Sequence, residues 1–297
     1  MNDKATAIIL QDTTSIYVEG SSYRVLGKWD HSRFTPAVPF ERGQSYHTST
    51  GITFTIPADT TLQPPVLVGS FPSCDTVPSN LLKIYLQFSE SMSEGCSSRF
   101  VQLYNATTGD TIKNAFLDLQ PELWNEDGTI LTLWLDPGRI KQDLIPNKDL
   151  GVVMNEDRKY KLVVAKGWRS KNGLALEKDY NRTYTTSKRD VTRPEIHSWS
   201  IGVKGDTVVV DLKESLDWLL LHSAISIPGL SPKTITESGE KKILFFPVPP
   251  GDYSLNIESR LEDLCGNNIN RLFETDVTAS TGNNHPKEVY TIPFHVK

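Results

Sequence analysis

Cysteine, positive charge, long apolar runs and catalytic signatures are all scarce in this chain, and each shortage excludes something. There are three cysteines in 297 residues, Cys74, Cys96 and Cys265, without CxxC spacing. That pattern supports neither a zinc site nor a disulfide framework. Cys74 and Cys96 flank an expected strand, Leu82 to Phe88, which at about 3.3 Å per residue holds them roughly 20 Å apart. A disulfide needs Cα atoms within about 7 Å, so free thiols are expected. The formal net charge of −5 argues against nucleic acid and anionic membrane as partners. No apolar run approaches the roughly 20 residues of a transmembrane helix, and the opening MNDKATAIIL lacks the basic region and apolar core of a signal peptide.

Chemistry-bearing patterns are equally thin. His31, His47, His197, His222, His285 and His295 stand singly, with no HExxH-type partner. No GxSxG elbow marks a nucleophile. Glu122 with Asp127, and Glu262 with Asp263, are carboxylate pairs, but a glycosidase also needs a cleft between its two acids. Asn155-Glu156-Asp157, and Asp263 with Asn267-Asn268, offer oxygens for calcium without EF-hand spacing. We therefore assign no catalytic residue, no metal ligand and no cofactor.

What the chain does have is a repeat. Tyr160 to Leu176, YKLVVAKGWRSKNGLAL, returns without a gap as Tyr253 to Ile269, YSLNIESRLEDLCGNNI. Tyr160 falls on Tyr253, Leu162 on Leu255, Gly173 on Gly266 and Leu176 on Ile269. A second match sets Ile84 to Met92, IYLQFSESM, on Val208 to Leu216, VVVDLKESL, with Glu90 on Glu214. Each copy is a strand-rich stretch broken by frequent turns, the signature of β-sandwich modules in tandem.

The expected organisation is all-β. Residues 1–62 form a small or partial β unit, too short for a robust sandwich of its own, which docks on the next unit. Residues 63–187 form an Ig-like β-sandwich with an irregular insertion at 139–154, and residues 188–297 a second sandwich. TTLQPP at 60–65 and KRDVTRP at 188–194 are the linkers, since consecutive prolines cannot serve a ladder. Strands are expected at Phe100 to Tyr104, Thr111 to Leu119 and Ile130 to Leu135, with one packed helical turn at Asp217 to Ser223. A hairpin is expected around Ser238-Gly239, and an edge strand at Val289 to Val296 because of Pro293.

These segments resemble the bacterial immunoglobulin-like domains of S-layer and other surface proteins. The resemblance rests on VPSN at 77–80, FSESM at 88–92, YKLVV at 160–164, KNGLAL at 171–176 and YTT at 184–186, then KESL, PPGDYSLNI and EDLCGNNI in the last third. It covers about two thirds of the chain. Ser91 replaces the family's usual proline, and 139–154 is an insertion. The resemblance implies a secreted or cell-envelope protein, lipoproteins included, whose export signal has been trimmed; a cytoplasmic protein is the alternative. It implies a non-enzymatic binding or scaffold module with a protein or glycan partner at the cell surface. A carbohydrate-binding accessory module or glycan-acting enzyme, and a purely structural spacer, are the competing functions.

Loop geometry nominates a site. In an Ig-like sandwich two loops, here Ser89 to Ser97 and Lys166 to Gly173, share one pole. That gathers Glu90, Met92, Trp168 and Arg169. The pole admits two readings: Trp168 closes the sandwich end while Arg169 pairs with Glu90, or the four form a binding patch of the kind Trp and Arg favour. Trp124 and Trp134 join the candidates. Trp134 faces opposite to Leu133 and Leu135, so it is either an exposed stacking platform or is covered by a neighbour, with 139–154 as the candidate cover.

Overall fold

Short strands separated by turns build the molecule from end to end; the computed structural model describes residues 8–9, 14–20, 22–140, 148, 150–237, 239–274 and 287–297. Nearest the N-terminus lie β1 (Ile8–Ile9), β2 (Ile16–Val18), β3 (Gly27–Asp30), β4 (Arg33–Pro36), β5 (Ser45–Thr48) and β6 (Thr53–Thr55). They form two sheets, ordered β1-β4-β3 and β2-β5-β6. With so few residues to bury, the core relies on large rings. Phe40 meets Tyr46 edge-on at 4.8 Å and Phe54 at 5.7 Å, with Ile16, Phe34 and Ile56 packed around them. The rest of the expected first strand lies outside the described residues.

The middle unit contains β7 (Leu67–Phe71), β8 (Thr76–Pro78), β9 (Lys83–Phe88), the short helix α1 (Ser97–Phe100) and β10 (Val101–Asn105). Then come β11 (Leu123–Trp124), β12 (Ile130–Trp134), α2 (Pro137–Ile140), β13 (Lys159–Val164) and β14 (Tyr180–Ser187). One sheet runs β11-β12-β9-β7 and the other β10-β13-β14-β8, with β8 parallel to β14. Alternation sets the faces: Leu131 and Leu133 of β12 and Tyr160, Leu162 and Val164 of β13 point inward and are buried. In β9 the alternation breaks, because Tyr85 is buried on the outer face as well. A segment of the third unit covers it there.

The third unit contains β15 (Ser200–Lys204), β16 (Thr207–Asp211), α3 (Trp218–Ala224), β17 (Ile225–Ser226), β18 (Lys233–Thr236), β19 (Lys242–Phe246), β20 (Gly251–Glu258) and β21 (Val289–Val296). Its sheets are ordered β15-β16-β19-β18 and β17-β20-β21. Asp217 caps α3 by accepting the Leu220 N–H at 3.0 Å. Ser238, within the turn that joins β18 to β19, lies outside the described residues. Pro293 sits on edge strand β21, where no N–H is needed.

The third unit's four strands on one sheet and three on the other, in these orders, constitute the immunoglobulin arrangement, and the middle unit adds β8 beside β14. The fold is all-β: tandem Ig-like β-sandwiches with a small N-terminal β unit. Tyr160 and Tyr253 occupy equivalent strands, β13 and β20, each paired with the matching neighbours. The small unit follows the same plan, with β1-β4-β3 corresponding to β9-β12-β11 and β2-β5-β6 to β10-β13-β14. Its Tyr46 accepts the Glu41 N–H at 2.8 Å, as Tyr160 accepts the Asn155 N–H at 2.8 Å. Both are tyrosine corners of the Ig type.

One expectation needs correction. Thr111 to Leu119 is not a strand; it makes isolated bridges, Thr111 to Tyr104 and Phe116 to Leu135. The described residues of the insertion serve the core. Its Ile140, Val153 and Met154 enter the sandwich core, and buried Arg139 donates to the carbonyls of Lys113, Asn114, Leu150, Gly151 and Val152. Residues 141–147 and 149 lie outside the described residues. The three cysteines are free thiols.

Candidate functional site

The pole nominated by sequence is an interior rather than an open patch. Met92 and Trp168 are both 0% exposed. Phe100 stacks on Trp168 at 5.6 Å, Phe88 and Trp124 meet its edge, and its indole N–H donates to the Ser93 carbonyl at 3.0 Å. An indole so enclosed closes the sandwich end and offers no face to a ligand, which removes Met92 and Trp168 from the candidates. Trp124 goes too: its ring lies against this cluster and its N–H donates to Glu122 at 2.9 Å. Trp134 is covered by the Lys83 ammonium, 5.2 Å from its ring centre. Glu90 is held by the Asn172 amide at 2.5 Å and not by Arg169. Of the six, Arg169 alone keeps an exposed side chain free of hydrogen bonds among the described residues.

Carboxylate pairing resolves the same way. Glu122 accepts the N–H groups of Gly95 and Ser97 at 2.8 and 2.7 Å. Burial opposes the Glu122 charge, but the donors of Ser97 and Trp124 outweigh it and hold its carboxyl below the usual range. Glu262 is taken by Lys83. Neither pair faces a cleft. His31, His47 and His295 each meet one acidic neighbour, and His222 meets Thr236.

What covers the nominated pole is the N-terminal unit. A Cβ on Gly173 would lie 2.6 Å from Arg42 and Gly43 backbone atoms, and one on Gly43 would lie 2.6 Å from the Gly173 carbonyl. Both glycines have left-handed φ, +86° and +72°. Main chain therefore touches main chain, and the Asp59 N–H donates to Asn172 at 2.9 Å. Beside this contact a cleft of about 250 Å³ opens between the units. The N-terminal wall carries Tyr23, Arg42 and Gln44; the opposite wall carries Arg99, Phe100 and Arg169.

The second junction uses the equivalent pole of the third unit. Gly266, the repeat partner of Gly173, also has left-handed φ (+81°), and a Cβ there would meet Leu82 at 2.5 Å. Around it the contact is polar and buried. Lys83, 13% exposed, reaches Asp217 at 3.2 Å and Glu262 at 2.6 Å, while the Tyr85 hydroxyl donates to Asp217 at 2.6 Å. Burial works against the Lys83 charge, but the two carboxylates overcome it and its pKa is raised. Trp218 lies flat on Phe71 at 3.9 Å. Glu240 accepts both the N–H and the hydroxyl of Ser73. Arg189 pairs with Glu274 and donates to the Ile140 carbonyl.

Carboxylate oxygens of Asp190, Glu214 and Asp263 converge within 4.8 Å at this junction. Those of Asp263 are already engaged by the Cys265 and Asn267 N–H groups and the Asn267 amide, at 2.7 to 2.9 Å. Burial still outweighs those donors and pushes the Asp263 carboxyl up to about 7.

Sequence reasoning missed Tyr23, Arg42 and Arg99 because the cleft is lined by residues of two different units that lie far apart in sequence. It missed Lys83 and Asp217 for the same reason. A signal was present all the same: the two glycines that superpose in the repeat, Gly173 and Gly266, each lie at a junction.

Neither protein-family models nor curated proteins match the chain. Solved structures similar to it are distant. Native alpha-2-macroglobulin from Escherichia coli, domains MG0-NIE-MG1, is 11% identical with a TM-score of 0.28, over 79% of this chain and 97% of that one. SGBP-B of the Bacteroides ovatus mixed-linkage glucan utilization locus, in complex with a mixed-linkage heptasaccharide, is 11% identical with a TM-score of 0.22, over 86% of this chain and 58% of that one. The FN1–FN3 domains of chicken CNTN1 are 9% identical with a TM-score of 0.22, over 99% and 96%. Likeness at this level carries no functional information.

Proposed function

We propose that the protein is a non-enzymatic, secreted or envelope-associated array of Ig-like domains that works as a binding and scaffold module. Its units are 1–62, 63–187 and 188–297, related to the bacterial S-layer-type Ig-like domains that the motifs resemble, and its partner is a protein or glycan at the cell surface. One observation carries the reading: both junctions are made by the same pole of the following sandwich, through glycines at matching repeat positions that leave no room for a side chain. Independent beads on flexible linkers have no need of that constraint; an array that holds its units at fixed spacing and orientation does. Glu122, Glu262, Asp263 and the nominated tryptophans are engaged in structural contacts, which favours a binder over a glycan-acting enzyme.

Fractionation of the source cells with an antibody to the whole chain tests the compartment, and a broad hydrolase screen tests the chemistry. Envelope or medium location without turnover is expected. A cytosolic pool, or robust turnover abolished by one substitution, would overturn the proposal.

A further inference from the structure

We infer that the cleft between the N-terminal unit and the middle sandwich is a binding site for a carboxylated sugar. The inference rests on the docked-module reading above, because each unit supplies one wall. At about 250 Å³ the cleft falls just below the range of about 300 to 1,000 Å³ of drug-sized sites, a size that suits one or two sugar rings.

Its charge is opposite to that of the molecule. Arg42, Arg99 and Arg169 line it against Glu41 and Glu94, and Glu94 is already paired with Lys171 at 2.7 Å outside the lining. Arg99 and Arg169 are exposed, and their guanidinium groups make no hydrogen bond or ion pair among the described residues. The guanidinium groups of Arg99 and Arg169, side by side on one wall in a chain of net charge −5, form a local cationic focus. A guanidinium presents its N–H donors as a planar fork that fits a carboxylate in bidentate fashion.

The walls select the rest of the ligand. Tyr23 is 75% exposed on one side. Phe100 lies on the other, fixed from behind by its stack on the fully buried Trp168. Two aromatic side chains beside a cationic focus suit a ring with apolar C–H faces and a carboxylate, and the Gln44 side chain at the rim can meet hydroxyls. A free phosphate or sulfate would leave the aromatic walls unused. Because Trp168 sits in a closed cluster, the Phe100 wall is preorganised before any ligand arrives.

Calorimetric titration of the whole chain at low salt, with digalacturonate as the probe, tests the inference. Saturable binding is expected, weakened at least tenfold by Arg99→Ala with Arg169→Ala and three- to tenfold by Tyr23→Ala. The uncharged galactose disaccharide should bind at least tenfold more weakly than digalacturonate. These side chains are exposed, so near-UV circular dichroism should be unchanged in the variants. No saturable binding, equal binding of the neutral disaccharide, or indifference to the arginine pair would overturn the inference, and so would a peptide with a free C-terminal carboxylate binding in preference to the uronate. If binding is absent while X-ray scattering shows a rigid docked chain, the site assignment alone fails. If scattering shows loosely tethered units, the docked-module reading fails beneath it.

Discussion

The two junctions share a position in the repeat and differ in chemistry. At the first, Gly43 and Gly173 bring main chain against main chain, and the ionic contact nearby, Lys171 with Glu94, is solvent-exposed. At the second, Gly266 receives Leu82, and a buried lysine with two carboxylates, a stacked Phe71–Trp218 pair and a doubly bonded Glu240 surround it. Steric fit at a glycine sets where each unit docks. The second junction adds a polar lock in which every charge depends on a partner from the other unit. The first spends no buried charge and keeps a cleft instead. A pair of sandwiches joined through buried polar contacts and a lighter unit flanking a cleft is the division of labour that this difference teaches.

The largest break in the comparison should come from Lys83→Ala, which leaves buried Asp217 and partly exposed Glu262 without their shared counter-ion. Removing one partner of a buried charge network costs about 3–5 kcal/mol, and urea unfolding of the whole chain should show the loss in the middle and third units.

Next is pH. Asp263 titrates near 3.9 in an unfolded chain and near 7 when folded, so the folded state binds the extra proton between those values. Its contribution is therefore fully favourable below about pH 4 and is lost as pH rises through about 7, a difference on the order of 2–4 kcal/mol. Thermal melts should rise as pH falls from 8 to 5, and Asp263→Asn should flatten that slope. The matching residue of the middle unit is Ser170, which cannot titrate.

Gly173→Val and Gly266→Val should each cost about 1–3 kcal/mol through left-handed strain and overpacking. Each should loosen its own junction and leave the other intact, as hydrogen exchange at the two linkers can report. The smallest effect should be that of Lys171→Ala. Its exposed pair with Glu94 is worth about 0–1 kcal/mol, and denaturation midpoints should scarcely move.

Much of this architecture was legible in the chain. Tyr160 and Tyr253 fell in equivalent strands because the period-two pattern and the NG and GN turns around Gly173 and Gly266 recur in one register. The strand content of the small unit was legible in part; its Ig-like order was not, because its strands are two to four residues long and carry little periodic signal. The site was harder. Trp168 and Met92 occupy loop positions, and loop residues read as exposed unless the neighbour that buries them is known. The surface that covers Tyr85, Trp218, lies in another unit, so alternation along the strand could not show its burial. Contacts between units depend on how folded surfaces meet, and a local pattern does not encode that meeting. The repeated glycines are the exception, since the shape they permit is itself local.

Small-angle X-ray scattering of the whole chain, beside Gly173→Val and Gly266→Val, reaches the central claim most directly. A single narrow distance distribution is expected for the native chain, with each valine broadening it by releasing the unit on its own side. A native chain that already scatters as freely tethered units, and that neither valine alters, would contradict the claim.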